Sequence, residues 1–132
     1  MHITGGCHCG AVRYTADIDP ATSAICHCRD CQQLSGSAWR GIVRTRAEDF
    51  HLTGEPRIYI KTAESGTKRG QAFCGACGSS LYAFTPPDPD VISLRIGSVD
   101  QRVDLPPHRQ IWCESALPWA LDISALPASP RQ

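Results

Sequence analysis

Apolar residues recur along this chain in short runs and not in long stripes. Runs rich in β-branched and aromatic residues lie at 11–15, 38–43, 57–61, 71–73, 80–84, 91–96 and 109–113. Each is of strand length and is bounded by Gly, Pro, Asp or Ser, residues that supply turn geometry. No segment sustains an apolar stripe at a spacing of 3.6, and the best helical candidate is a turn or two at 29–34. The pattern predicts a mainly β fold, a small antiparallel β domain. Pro86-Pro87-Asp88-Pro89 and Pro106-Pro107 read as short surface turns between strands.

Length and charge narrow the function. The 132 residues amount to a single domain, 1–132, that buries ~65–70% of the surface of its unfolded chain. Thirteen basic residues balance thirteen acidic ones. That leaves no broad electropositive footprint, so nucleic acid is not expected as a partner and small neutral or zwitterionic molecules fit better. The first residues, MHITGGCHCG, lack a charged start followed by an apolar run, and no window approaches a membrane span. A cytoplasmic protein with no membrane partner is the expectation. Thiols are kept reduced there, which turns a dense cysteine pattern towards metal or redox chemistry and away from disulfides.

Seven of the eight cysteines fall into three clusters: Cys7-His8-Cys9, Cys26-His27-Cys28-Arg29-Asp30-Cys31 and Cys74-Gly75-Ala76-Cys77. A soft divalent ion such as Zn²⁺ takes thiolates in pairs from separate stretches of chain. Gly5, Gly6 and Gly10 flank the first pair and Gly75 and Gly78 the third, so the chain can turn tightly and bring amides to sulfur. Cys7, Cys9, Cys74 and Cys77 as one closed site would join the start of the chain to its middle and hold the fold. Cys26, Cys28 and Cys31 would hold a second ion with a coordination position open. Zinc on three thiolates carries net −1 and favours a further thiol over water as its ligand. The implied chemistry is activation of a small thiol. A fourth ligand, Cys113 or His108, would instead close that site. His8 and His27 point away from the sulfurs in this reading, and Cys113 is expected to be buried in a strand.

The clusters and their surroundings resemble the glutathione-dependent formaldehyde-activating enzymes, which share their domain with centromere protein V. The matching elements are Gly6-Cys7-His8-Cys9-Gly10-Ala11-Val12-Arg13-Tyr14, Cys26-His27-Cys28-Arg29-Asp30-Cys31 followed by Ser35-Gly36, and Gly54-Glu55. Further along come Phe73-Cys74-Gly75-Ala76-Cys77-Gly78-Ser79-Ser80-Leu81, Gly97-Ser98-Val99-Asp100, His108 and Pro118-Trp119. The resemblance implies a β-tent (Mss4-like) fold with two zinc ions on loops. One, structural, sits on Cys7, Cys9, Cys74 and Cys77; the other, catalytic, sits on Cys26, Cys28 and Cys31. It further implies a carbon–sulfur lyase working on glutathione and formaldehyde.

Glutathione carries two carboxylates, so Arg40, Arg44, Lys68 and Arg69 are candidates to line its approach, against a reading of them as solvated surface charge. Asp30, between two ligands, would tune the second site or move protons. One rival function is a non-catalytic zinc-stabilised module binding a protein through Trp39, Trp112 and Trp119, although tryptophans in a small domain are expected mostly in its core. Another is a thiol redox enzyme with Cys113 as nucleophile, resembling B-type methionine sulfoxide reductases. The sequence leaves a homodimer open.

Overall fold

In the computed structural model, residues 1–63 and 65–132 are described. They form nine strands: β1 (His2–Gly6), β2 (Arg13–Ile18), β3 (Ala24–Cys26), β4 (Arg40–Thr53), β5 (Arg57–Thr62), β6 (Lys68–Phe73), β7 (Ser80–Phe84), β8 (Val91–Arg95) and β9 (Arg109–Ile111). The α-helix is α1 (Arg29–Ser35), and short 3₁₀ turns fill the connections. The sheet runs β1-β2-β4-β8-β7-β6-β5, with β3 pairing both β4 and β9. Every pairing is antiparallel except β3 with β9. Among the described residues no helix is long and apolar enough to cross a membrane.

β4 is the spine. Its first residues lie between β3 and β8, and its later residues pair with β2. Because side chains alternate across a strand, the register sorts residues into rows on opposite faces. Val43, Leu94, Tyr82 and Ala72 stand in one row across β4, β8, β7 and β6, and all four are buried in the core with Ile3, Tyr14, Leu81 and Val99. The next row, Arg44, Ser93, Ala83 and Gln71, faces the other way. One face of the sheet makes the core, and the other is a polar floor.

The structure departs from the sequence expectation in identifiable places. β1 was not expected because Gly5 and Gly6 are poor strand formers. Gly5 is required there, since a Cβ would lie 2.4 Å from the Tyr14 hydroxyl oxygen and 2.5 Å from the Ser98 carbonyl. β3, at three residues, is too short to show a period. β4 continues well past residue 43 because Arg44 and Arg46 alternate outward while Thr45 turns in and is buried. The run at 109–113 stops at Ile111: Trp112 adopts a left-handed backbone, φ +59°, and Cys113–Ser115 form a 3₁₀ turn. Cys113 is therefore exposed and not a buried strand residue. All three tryptophans are also exposed, Trp112 and Trp119 by 59% and 67%, and do not build the core.

Candidate metal centres and the basic cleft

The first and third cysteine pairs sit on two turns of the same design. The Cys7 amide donates to the Val12 carbonyl and the Cys74 amide to the Ser79 carbonyl, both at 2.9 Å. Each turn contains a glycine at positive φ, Gly10 at +81° and Gly78 at +75°. The β1–β2 and β6–β7 connections thus meet, and the amide of His8 donates to Ser79 Oγ at 3.0 Å. The four sulfurs of Cys7, Cys9, Cys74 and Cys77 lie within 4.8 Å of one another. Sulfurs at the corners of a tetrahedron with 2.3 Å bonds are separated by about 3.8 Å. Cys7 to Cys9 is 3.6 Å and Cys9 to Cys74 is 3.8 Å, so this set fits a tetrahedral thiophilic ion. The Val12 amide reaches Cys7 Sγ at 3.3 Å, a donor suited to an anionic sulfur. Cys77 is held down to about 5, first by the Ser79 hydroxyl and then by the Ser79 and Cys9 amides.

Cys26 ends β3, Cys28 caps the N-terminus of α1, and Cys31 lies in its first turn. The cap is sulfur: Cys28 Sγ accepts from the Cys31 amide at 3.4 Å. Gly36, at φ +63°, ends the helix. These three sulfurs also lie within 4.8 Å of one another, and among the described residues no further Cys, His, Asp or Glu joins them. Neither Cys113 nor His108 is part of the set. Cys26 is lowered to about 5, chiefly by a hydrogen bond from Cys31, with a hydrogen bond from the Cys28 amide and the positive charge of Arg40 acting the same way; Cys31, the donor, is raised. Arg40 and the Cys28 amide thus favour an anionic sulfur at Cys26. Three thiolates this close repel one another unless a cation lies between them, which suits the donor set to a soft metal.

His27 lies between two of these cysteines but lines a different cavity from them. It is buried, not exposed, and its Nε2 meets Gln110 Oε1 at 2.7 Å. With Trp39, His108 and Trp119 it lines a groove of about 790 Å³ that lacks the sulfurs. Gln32, which sequence reasoning did not select, ties the sulfur loop to the chain's end: its Nε2 donates to the His27 carbonyl at 2.7 Å and to the Ser115 carbonyl at 2.9 Å.

The three sulfurs open into a cleft of about 1100 Å³ floored by the polar face of the sheet. Arg40, Arg44, Arg69 and Arg95 line it, together with Lys61 and Asp30, which pair at its rim. Arg40, Arg44 and Arg69 were candidates from sequence; Lys68, exposed, is not among the lining residues. Arg40 is not solvated surface charge: it is 4% exposed, and burial lowers its proton affinity while the three cysteines raise it. Arg95 was missed because a lone Arg closing an apolar strand carries no sequence signal. Only the register, which sets it opposite Ile42 on β4, brings it into the cleft.

An antiparallel β fold with one four-sulfur and one three-sulfur cluster, each able to hold a metal ion, defines the class of protein. Residues 2–115 match the family described as glutathione-dependent formaldehyde-activating enzyme, and the chain belongs to that family. A protein of Halomonas elongata, provisionally described as a glutathione-dependent formaldehyde-activating enzyme, is 29% identical over 114 residues, 83% of this chain and 73% of that one. A crystal structure of a Rhodobacter sphaeroides protein superposes with a TM-score of 0.63 at 19% identity, over 81% of this chain and 98% of that one. At that identity the likeness bears on the fold alone.

Proposed function

We propose that this protein adds a small thiol, glutathione, across the carbonyl of formaldehyde or a related aldehyde at the Cys26, Cys28 and Cys31 centre, or releases the aldehyde in reverse. The reaction class is that of a carbon–sulfur lyase, and a reducing compartment such as the cytoplasm suits its thiols. Two zinc ions complete the reading, one on Cys7, Cys9, Cys74 and Cys77 with a structural task and one on the triplet. Zinc on the triplet would supply a position for a fourth sulfur and lower that thiol's hold on its proton.

The chain's own residues do the rest. Cys26, Cys28 and Cys31 line the cleft. Arg40, buried beside them, offsets the negative charge that thiolate ligands and an incoming thiolate accumulate. The arginines of the cleft draw in an anionic thiol. The observation that carries the reading is the pairing of a three-sulfur cluster, with no fourth side-chain ligand among the described residues, with a basic cleft large enough for a tripeptide.

The test is the visible absorption of the Co²⁺-substituted protein, whose d–d band reports the number of sulfurs around the ion. Glutathione should shift the band towards four sulfurs at one of two sites, and Cys31→Ser should abolish the shift while leaving the other site unchanged. An unshifted wild-type spectrum would refute a thiol-accepting centre and favour a zinc-stabilised binding module.

A further inference from the structure

The sulfur triplet offsets the charge of Arg40 but leaves hydrogen-bond donors of Arg40 and Arg95 unused. Both are more than nine-tenths buried, at 4% and 7% exposed. Nε and Nη2 of Arg40 and Nε of Arg95 have no hydrogen-bond partner. Neither guanidinium forms an ion pair among the described residues. Two like charges buried side by side without a carboxylate are costly, and proteins keep such an arrangement where an anion is to be bound. Burial first, and the neighbouring charge of Arg40 second, pull Arg95 below its ordinary value. An anion would relieve both effects.

The sheet register makes this a built site. Arg95 stands opposite Ile42, two residues along β4 from Arg40, and on the same face. Ser93 and Ala83 lie in the adjoining row, and their small side chains leave room in front of the guanidinium groups. Gln71 reaches across from β6 and accepts from Arg95 Nη2 at 2.7 Å, fixing the plane of the guanidinium. The rigid fork of an arginine matches a carboxylate by two parallel hydrogen bonds.

We propose that Arg40 and Arg95 form a carboxylate receptor beside the sulfur triplet, with Gln71 positioning Arg95, so that the cleft selects thiols bearing a carboxylate over neutral thiols. This rests on reading the triplet as the thiol site, and it assigns the residues that would choose among thiols. Glutathione satisfies that choice, having a thiol and two carboxylates on one flexible backbone. Arg95 is the specificity residue; Arg40 answers to both the sulfurs and the carboxylate.

The experiment measures equilibrium binding of S-methylglutathione, whose sulfur is blocked, to the metal-loaded protein by titration calorimetry. Wild type should bind it. The diamide of the same ligand, with both carboxylates neutralised, should bind at least about tenfold more weakly, the scale of one charge-assisted hydrogen bond. Arg95→Met should lose affinity for S-methylglutathione by the same factor, yet accept the neutral thiol 2-mercaptoethanol with the wild-type shift of the cobalt band. Failure of wild type to bind, or equal binding of acid and diamide, overturns the receptor even if the variant cannot be folded. Unchanged affinity in Arg95→Met overturns the role of that residue. Arg95-dependent binding of S-methylglutathione with no thiol moving the cobalt band would instead sink the thiol-centre reading and leave the receptor standing.

Discussion

Single residues in this protein carry geometry that their neighbours enforce. Gly54 closes the turn after β4 at φ +87°, and a Cβ there would sit 2.2 Å from the Ala11 carbonyl oxygen. The backbone cannot yield cheaply, since Ala11 and Val12 lead from the cysteine turn into β2. Gly54→Ala should therefore destabilise the fold by about 2 kcal/mol or more, combining the left-handed penalty with the clash, read as a lowered denaturant midpoint at unchanged slope. Gly36 offers a contrast. It also has positive φ, +63°, but nothing lies within 4 Å of its would-be Cβ. A side chain there would meet only the conformational cost.

Between elements, the sulfur triplet depends on contacts that no cysteine makes. α1 is seven residues long, too short to persist on its own propensity. Its capping by Cys28 and the Gln32 clasp hold it in place. Gln32→Leu removes the donor from the His27 and Ser115 carbonyls at once. The expected cost is about 1 kcal/mol, and amide hydrogen exchange at 109–115 should speed up more than exchange in β6 to β8. A uniform change across the sheet would show that the clasp has no local role. Arg13 on β2 bonds Asp100 at 2.5 Å, and that bond, then one from Thr4, holds the Asp100 carboxyl below its ordinary value. A depressed carboxylate stabilises the fold above its unfolded value, and that contribution fades as the pH falls through the folded value. Asp100→Asn should thus lower Tm slightly at neutral pH and converge with wild type in acid. The pair is half-exposed, so the effect is small.

For the molecule as a whole, the two cysteine clusters predict opposite responses to the same substitution. The four-sulfur set ties the β1–β2 turn to the β6–β7 turn, and an ion there can contribute on the order of 10 kcal/mol or more to folding. The triplet lies at a sheet margin beside a cleft. Cys74→Ser should give insoluble or unfolded protein. Cys31→Ser should stay folded, with a cooperative thermal transition, and bind one metal ion fewer per chain than wild type. Elemental analysis and circular dichroism on both variants check this. A folded, soluble Cys74→Ser protein would show that the closed site is not what holds the sheet together.

The sequence by itself determined the class of fold and the identity of the sulfur sets. Thiolate spacing is a local property, and turn-forming glycines beside the first and third pairs state where the chain must fold back. It also marked Ser80–Phe84, where every residue but the first is apolar and the strand is bounded by turn residues. Tertiary structure decided the rest, because those features arise from pairing across the sheet. β1 exists because it pairs with β2, where the Tyr14 ring leaves space for no side chain at Gly5, and β4 runs on because its charges alternate out of a core that only packing defines. Cys113 left the strand when Trp112 took a left-handed turn. Arg40 and Arg95, 55 positions apart by their numbers, became neighbours only through the register of β4 and β8, and burial then set two ordinary arginines apart from solvated surface charge.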